Sequence, residues 1–573
     1  MRILLIASAY NSMTQRVHVE LADRGHEVSV ELALADEVLA GAVRRLGPEL
    51  IIAPMLTTAI PADIWLARPC FVIHPGPRGD RGPSSLDWAI SGRARRWGVT
   101  VLQANAEMDA GDIWASEELM LPGGCSKGSV YRTEVADAAI RAVLLAVARF
   151  EGGSFKPEPL DYASPAVTGR LRPPCRQQDR RIDWPAEPTS SVLAKLRAAD
   201  SSPGVLDVLG GAEYFLFGGH EEDELRGEPG AIVAQRDGAI CRATVDGAVW
   251  IPQLRRRRAP GGPPTFKVPA ALALGEALAG VPAVPAPLAP RPGRRTYQEI
   301  TYRESAGVGY LEFCFPGGAM STGQCRRLLA AYQHARRRPV RVIVLGGRRD
   351  FFANGIQLNV IEAASDPAEE SWRNINAIDD LVRAILTTTD RLTVAALAGN
   401  AAAGGLMLAL AADEVWCRAG AVLNPHYRLM GLHGSEYWTY TLPRRIGAQQ
   451  AARLTQACLP VSPASASRCG LVDRVIGGSA ADYRAQVATL AQALAWNPHY
   501  AGRLAAKARQ LTAAEKVQPL RTYRRAELAS MRRNFFDPRE PYALLRRAFV
   551  YKDKPTQTPP HLARHRILTD TRS

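Results

Sequence analysis

The sequence lacks any run of about 18 consecutive apolar residues, the length that a membrane-spanning helix needs. Its nine cysteines are widely spaced and form no Cys-x-x-Cys pair, so we expect neither a metal site nor a secreted disulfide framework. The first residues, MRILLIASAYNS, carry one basic residue and no small-residue cleavage pattern, which indicates a β-strand rather than a signal peptide. These absences predict a cytoplasmic protein with no membrane partner.

The composition is that of an ordinary globular protein, with 47% hydrophobic and 22% charged residues, so a wholly disordered or collagen-like chain is excluded. The length of 573 residues predicts three or four domains. Because the formal net charge is +15, we expect anionic ligands such as phosphorylated cofactors or polyglutamylated folates. The arginine run at 255–258 borders a Pro/Ala-rich stretch, where charge runs are usually solvated, so we expect no nucleic-acid partner.

Residues 1–120 alternate apolar, strand-like runs with segments of helical spacing, which predicts a parallel α/β sheet. Ligands of such sheets bind beyond the carboxyl ends of the strands. Neither the dinucleotide-binding nor the P-loop glycine motif is present, so nicotinamide and P-loop phosphate chemistry are not expected. The predicted strands cover 2–6, 26–30, 49–53, 70–73 and 99–103.

The remaining chain changes character twice. Short alternating strands with Asp-Gly turns at 237–238 and 246–247 predict a small β-barrel. A Pro/Ala/Gly-rich stretch then indicates a linker, and an α/β pattern returns, followed by a basic helical tail. The predicted domains are 1–165, 166–258, the linker 259–295, and 296–573.

A first candidate site joins His74, at the end of a predicted strand, to Asp109, beyond the end of the next one. Such a pair can move a proton and stabilise charge that develops at a carbonyl. From the residues alone, a loop histidine and a capping aspartate remain the alternative.

The pattern His74-Pro, Arg81-Gly82 and the strand leading to Asp109-Ala-Gly resembles the N10-formyltetrahydrofolate-dependent formyltransferases. The resemblance implies that His74 and Asp109 are catalytic. The segment 179–204, together with the turns at 227–230 and 246–247, resembles the C-terminal barrel of methionyl-tRNA formyltransferase. However, residues 31–46 offer no basic, proline-rich loop, which argues against a tRNA acceptor.

Two departures from this family concern its chemistry. Val72 stands where the family has a catalytic asparagine, and Leu102 where it has a second histidine. The amide that polarises the formyl oxygen is therefore missing, which indicates a changed acceptor. The candidates to replace it are Gln103, Asn105 and Arg78.

A second candidate site consists of two glycine-containing turns, Asn354-Gly355-Ile356 and Ala403-Gly404-Gly405, the second of which runs into a predicted helix. Glycines allow close approach of a backbone to a ligand, and the first N–H groups of a helix are free to donate. Two such N–H groups can bind a thioester oxyanion. Tight packing of small residues is the alternative.

These two turns, in this order, resemble the crotonase (enoyl-CoA hydratase/isomerase) family. The resemblance implies a crotonase-like α/β spiral with C-terminal helices, coenzyme A as ligand, and an oxyanion hole formed by the N–H groups of Ile356 and Gly404. The two hydratase glutamates are replaced by Met407 and a residue near His426, so hydration of an enoyl thioester is not expected.

Other polar side chains could act on an acyl group bound there. Glu436 is the candidate base, with Tyr427 or Tyr440 as the acid or positioning partner. The phosphates of coenzyme A call for cations. The candidate residues to bind them are Arg132, Arg546, Arg547 and Lys552.

The fusion of these two domain types resembles the HypX/HoxX family of hydrogenase maturation factors. The resemblance implies formyl transfer from N10-formyltetrahydrofolate to coenzyme A, then decarbonylation of formyl-CoA, with carbon monoxide serving [NiFe]-hydrogenase. Hydrogenase maturation proteins are then candidate partners. Two alternatives stay open: a formyltransferase for another amine with a merely binding second domain, and a non-catalytic scaffold.

Overall fold

A computed structural model describes residues 1–566 as two compact units. The first contains Met1–Leu209, Glu213–Gly219 and the segment from Lys554 onward, and the second contains Gly210–Ala212 and His220–Asp553. Among the described residues, no helix is both long and apolar enough to cross a membrane. The predicted α/β multidomain fold is confirmed.

The first unit begins with a six-stranded sheet and continues into a helical region and a hairpin. Its strands are β1 Arg2–Ala7, β2 Glu27–Leu32, β3 Leu50–Met55, β4 Cys70–His74, β5 Arg96–Gln103, β6 Ile113–Met120, β7 Val205–Leu209 and β8 Ala212–Phe217. Its helices are α1 Ser12–Asp23, α2 Asp36–Leu46, α3 Ala62–Ala67, α4 Ser85–Ser91, α5 Lys127–Val130, α6 Ala136–Gly152, α7 Gln177–Arg180 and α8 Thr189–Ala199.

The six strands lie in the order β2-β1-β3-β4-β5-β6. The first four are parallel, as the alternating pattern predicts, and their central apolar side chains are buried. The strand β5 is antiparallel to both of its neighbours, β4 and β6, which differs from the predicted parallel sheet. Because β4 and β5 pair in antiparallel fashion, with His74 opposite Thr100, their carboxyl ends point in opposite directions. Only the loop 104–112, which follows β5, can bring Asp109 back to His74.

Two further features shape this unit. A π-helical turn, Tyr131–Val135, joins α5 to α6 without a break in helical backbone angles, and such turns are frequent at functional sites. The C-terminal segment returns to β2, where the Val30 N–H donates to Leu562 O at 3.0 Å. His565 Nε2 lies 3.0 Å from the buried Glu31 carboxylate.

The second unit opens with short antiparallel strands. These are β9 His220–Glu222, β10 Ile232–Arg236, β11 Ala239–Ala243, β12 Ala248–Ile251, β13 Gln253–Arg256 and β14 Val268–Pro269, followed by α9 Ala270–Leu274. Strands β10-β11-β12-β9 form one sheet. The predicted Asp237-Gly238 hairpin turn is present, because Arg236 pairs with Ala239 and both turn residues have positive φ.

The α/β part of the second unit has its main sheet in the order β15-β16-β17-β18-β20-β22 and a small pair β19-β21. The strands are β15 Ile300–Ser305, β16 Val308–Phe313, β17 Val342–Gly347, β18 Leu392–Leu397, β19 Ala401–Ala402, β20 Glu414–Arg418, β21 Leu423–Asn424 and β22 Arg474–Ile476. The helices are α10 Thr322–Arg336, α11 Leu358–Glu362, α12 Pro367–Leu386, α13 Gly404–Leu410, α14 Trp438–Ile446, α15 Ala448–Ala457, α16 Pro463–Arg468, α17 Ala480–Ala495, α18 Tyr500–Val517, α19 Leu520–Phe536 and α20 Tyr542–Tyr551.

The buried α13 follows β18 and β19 closely, so its first residue, Gly404, stands at the edge of the sheet. The rest of α13 is apolar and packs in the main core with α12 and α14. This core fixes the turn before α13, which the crotonase resemblance assigns to thioester binding.

Candidate active sites

The first unit contains a cavity of about 670 Å³ beside β4 and β5. This volume lies within the range of pockets that bind drug-sized ligands. Its lining includes Asn11, Val72, His74, Leu102, Asp109 and Arg132. The predicted pair of histidine and aspartate therefore opens into one cavity, and the apolar Val72 and Leu102 face it where the formyltransferases have polar side chains.

His74 is buried and lies between two carboxylates. Its Nε2 is 3.0 Å from Asp80 Oδ2, and its Nδ1 is 3.5 Å from Asp109 Oδ2. Asp109 adopts a left-handed backbone with φ 57° and accepts a hydrogen bond from the Gly82 N–H at 3.3 Å. A non-glycine residue in this region is uncommon and marks a constrained position. The imidazole is thus oriented through both ring nitrogens.

Asp80 is the main residue of this site that the sequence did not single out. Burial by itself would raise the pKa of its carboxyl, but hydrogen bonds from His74, Ser85 and Arg172 outweigh burial and place the pKa below its ordinary value. Arg172 Nε donates to Asp80 Oδ1 at 2.7 Å. Asp80 therefore stays ionised beside the imidazole. An acidic residue only six positions after the histidine was the available signal.

The three candidates for the missing amide lie in different places. Gln103 lines the cavity, and its Oε1 accepts a hydrogen bond from the Trp114 indole at 3.0 Å. Asn105 also lines the cavity but is exposed. Arg78 is not among the described residues that line it, and its guanidinium donates instead to Ser116 and Glu158. Gln103 is thus the best-placed amide, because it is the less exposed of the two that line the cavity.

The candidate phosphate-binding cations are likewise separated. Arg132 lines the first-unit cavity from the π-helical turn. Arg546 is buried, and its Nε donates to Glu362 at 2.7 Å, with Arg547 at 3.9 Å from the same carboxylate. Lys552 ends α20, and its Nζ lies 4.5 Å from the centre of the Phe549 ring. Of the four, Arg132 is the one that lines the first-unit cavity.

In the second unit the two predicted glycine turns meet. A Cβ placed on Gly355 would lie 3.3 Å from the Gly404 nitrogen, and one placed on Gly405 would collide with the Ala353 carbonyl. Gly404 is the first residue of α13, so its N–H has no partner within the helix. The two turns are thus in contact at Gly404, whose N–H the predicted oxyanion hole would use together with that of Ile356.

The Glu436 carboxyl lies directly against this turn, because a Cβ on Gly404 would collide with Glu436 Oε1. The Tyr427 hydroxyl donates to Glu436 Oε2 at 2.8 Å, and the Ser435 N–H donates to the same oxygen at 3.1 Å. Glu436 and Tyr437 have φ of 61° and 57°. Each such non-glycine residue costs on the order of 1–3 kcal/mol, and such strain concentrates at functional positions.

Buried acidic groups surround Glu436. Burial, and next the charge of Asp379, raise the pKa of Glu436 to about 8, although the Tyr427 hydroxyl opposes the rise. Burial, and next the charge of Glu527, raise the pKa of Asp379 to about 7. A carboxyl with a pKa near neutral can serve as a general base at physiological pH. The sequence did not indicate Asp379 or Glu527.

Two other residues named from the sequence, Tyr440 and Met407, lie away from the Glu436 carboxyl. Tyr440 packs edge-on against Tyr523, with ring centres 5.2 Å apart, and lies under the Arg444 guanidinium. Met407 is wholly buried within α13. Of the two tyrosines proposed as partners of Glu436, Tyr427 is the one in contact with it. Among the described residues, no group of His, Cys, Asp and Glu side chains is arranged to hold a metal ion.

Two family models match the chain. The enoyl-CoA hydratase/isomerase model matches residues 303–550, and the C-terminal domain model of formyl transferases matches residues 174–261. Methionyl-tRNA formyltransferase from Roseiflexus castenholzii is 30% identical over 169 residues, which cover 29% of this chain and 52% of the relative.

Two further similarities cover nearly the whole chain. The hydrogenase maturation factor HoxX of Bradyrhizobium diazoefficiens is 49% identical over 570 residues, or 99% of this chain and 98% of the relative. The crystal structure of HypX from Aquifex aeolicus in complex with tetrahydrofolic acid has 43% identity and a TM-score of 0.95, with 99% of each chain covered. The chain therefore belongs to the HypX/HoxX family of hydrogenase maturation factors.

Proposed function

We propose that this protein makes carbon monoxide in two steps. The first-unit site transfers the formyl group of N10-formyltetrahydrofolate to the thiol of coenzyme A. The second-unit site then splits formyl-CoA into carbon monoxide and coenzyme A, and the gas becomes a ligand of the hydrogenase iron. The HypX relative crystallised with tetrahydrofolic acid supports folate as the donor, and the enoyl-CoA hydratase/isomerase model supports coenzyme A as the carrier.

In the first step the thiol sulfur attacks the formyl carbon. A C–S bond forms, the C–N10 bond breaks, and the thiol proton ends on N10. His74, held between the carboxylates of Asp80 and Asp109, is placed to move that proton and to stabilise the tetrahedral intermediate. A thiol ionises more readily than an amine loses a proton, which fits a site where apolar Val72 replaces the family's asparagine.

The second step is carried by one observation: the Glu436 carboxyl lies against Gly404, the proposed oxyanion-hole residue. Formyl-CoA has no β-carbon, so the hydratase reaction is impossible for it. The carbonyl oxygen of formyl-CoA accepts hydrogen bonds from the N–H groups of Ile356 and Gly404, and Glu436 takes the formyl proton. The C–H electron pair stays on carbon, the C–S bond breaks, and the thiolate leaves and receives that proton.

The two steps can be tested apart with chemically prepared formyl-CoA. We expect the wild-type protein and His74→Ala to release carbon monoxide from it, whereas Glu436→Gln releases it about 10²–10⁴-fold more slowly. With N10-formyltetrahydrofolate and coenzyme A, both variants should release the gas far more slowly than the wild type. Glu436→Gln should still consume the folate, and His74→Ala should not. Folate consumption that needs an amine, yields a formylated amine and gives no gas would support the alternative formyltransferase instead.

A further inference from the structure

Glu436 occupies the first position of a strained turn that two other carboxylates hold. Glu436 and Tyr437 are consecutive left-handed residues without glycine's freedom. Such a conformation persists only where the surroundings over-determine it.

Asp379, on α12, accepts hydrogen bonds from the residues that begin the turn. Its Oδ1 accepts the Glu436 N–H at 2.8 Å, and its Oδ2 lies 2.8 Å from the Ser435 hydroxyl. Asp379 is completely buried. Its nearest cation is Arg524, whose Nε is 3.7 Å from Oδ2 and whose Nη1 donates to Asp380 at 2.7 Å. Asp379 is thus only partly compensated by a cation that it shares with a neighbour.

Glu527, on α19, accepts hydrogen bonds from the residues that end the turn. Its two oxygens accept the N–H groups of Tyr437 and Thr439, each at 2.9 Å, and the Thr439 hydroxyl. These N–H groups open helix α14, where a negative charge is favourable. Glu527 therefore caps α14 from another helix and fixes the residue that follows Glu436.

From these contacts we propose that Asp379 and Glu527 are positioning residues for Glu436, and that Asp379 also sets the proton affinity of the Glu436 carboxyl through its buried charge. The inference rests on the proposed role of Glu436 as base. Two carboxyl groups in one buried cluster cannot both ionise freely, because the charge on one raises the pKa of the other. The base therefore holds its proton more tightly than an isolated glutamate would, which makes it a stronger base toward the formyl proton.

The groups that act on this carboxyl come from several elements. They are Tyr427 and Ser435 on its own loop, Asp379 and Arg524 on α12 and α19, Glu527 on α19, and Cys325 on α10. Tyr427 donates to the ionised form and opposes the two acids. Removal of Asp379's charge and removal of Tyr427's hydroxyl should therefore shift the titration of Glu436 in opposite directions.

The test is an infrared titration of the full-length protein, with the carboxyl band of Glu436 assigned by its loss in Glu436→Gln. In Asp379→Asn we expect the midpoint to move toward acid by about one pH unit. In Tyr427→Phe it should move toward alkali. Glu369→Gln is the matched control, because it removes a partly exposed charge on α12 that pairs with Arg373 rather than with Arg524, and it should leave the midpoint in place.

The pH dependence of carbon monoxide release from formyl-CoA should follow the same shifts. Equal midpoints in wild type and Asp379→Asn, with both proteins folded by circular dichroism, would overturn the proposal. Glu527→Gln gives a second measurement: we expect kcat to fall at least tenfold with KM little changed, because the turn is displaced. An unchanged kcat would contradict the positioning role. If the infrared shifts occur but the wild type releases no gas, the proposed function fails while the tuning of Glu436 stands.

Discussion

The carboxyl oxygen Oε1 of Glu436 occupies the space in which a side chain of Gly404 would lie. The two residues are 32 positions apart and come together because α13 and the turn before α14 pack in one core. Only a residue without Cβ can stand at 404 with the carboxyl in place. The contact therefore couples a candidate base to a candidate oxyanion donor, which is what removal of a proton from a polarised carbonyl requires.

Gly404→Ala should disrupt this contact specifically. The added methyl must displace Glu436, so we expect about 10²-fold slower carbon monoxide release and about 1–3 kcal/mol lower stability from overpacking. Gly502→Ala is the matched control, since Gly502 lies in the exposed part of α18 with nothing near its Cβ position. It should leave activity unchanged and stabilise the helix by about 1 kcal/mol. Equal activities of the two variants would refute the contact's role.

Loss of the Glu436 carboxyl should be more severe still. We expect Glu436→Gln to slow gas release from formyl-CoA by about 10²–10⁴-fold, the usual contribution of a general base. Tyr427→Phe should have a smaller effect and mainly change the pH dependence, because Tyr427 contacts the carboxyl rather than the substrate in this scheme. Gas release by Glu436→Gln at the wild-type rate would assign the proton transfer to another group.

The buried acids should also make stability depend on pH. The folded-state pKa of Glu436 is about 8 and its ordinary value is 4.5, so the folded protein holds this proton more tightly than the unfolded chain. The stabilising contribution is complete below about pH 4.5 and is lost as the pH rises through about 8. We expect the thermal midpoint of the wild type to fall over this interval, and to fall less in Glu436→Gln. Identical slopes would contradict the raised pKa.

Asp80 should show the opposite dependence. Its folded-state pKa lies below the ordinary value of 3.8, so its stabilising contribution is present above about pH 3.8 and is lost as the pH falls through the folded-state value. Asp80→Asn should flatten this acid limb and slow formyl transfer by at least about tenfold, because His74 loses one of its two orienting partners. Asp112→Asn, an exposed change at the end of the loop 104–112, should alter neither property.

The sequence predicted the elements well and the sheet less well. Apolar runs such as those of β1 and β3 placed the strands to within a few residues, because a strand buried on both faces is apolar throughout. The antiparallel direction of β5 left no such local signal. His74 and Asp109 do meet, but through the returning loop and not through neighbouring carboxyl ends of parallel strands.

The candidate sites show the same division. The glycine turns at Gly355 and Gly404 were visible in the sequence, and the crotonase resemblance paired them as one candidate site. Asp379 and Glu527 could not be identified in this way, because each lies on a helix far along the chain from Glu436 and resembles any other acidic helical residue until the core is assembled. Asp80 did leave a signal, an acidic residue six positions after His74, but this spacing by itself did not show that it would bind the second nitrogen of the imidazole.

The most direct measurement supplies carbon-13-labelled N10-formyltetrahydrofolate and coenzyme A to the purified protein, with a haem protein present to trap any gas. We expect labelled carbon monoxide on the haem in amounts equal to the tetrahydrofolate formed, and none when coenzyme A is omitted. Consumption of the labelled folate with no labelled carbonyl band, or an equal yield without coenzyme A, would contradict the two-step reaction.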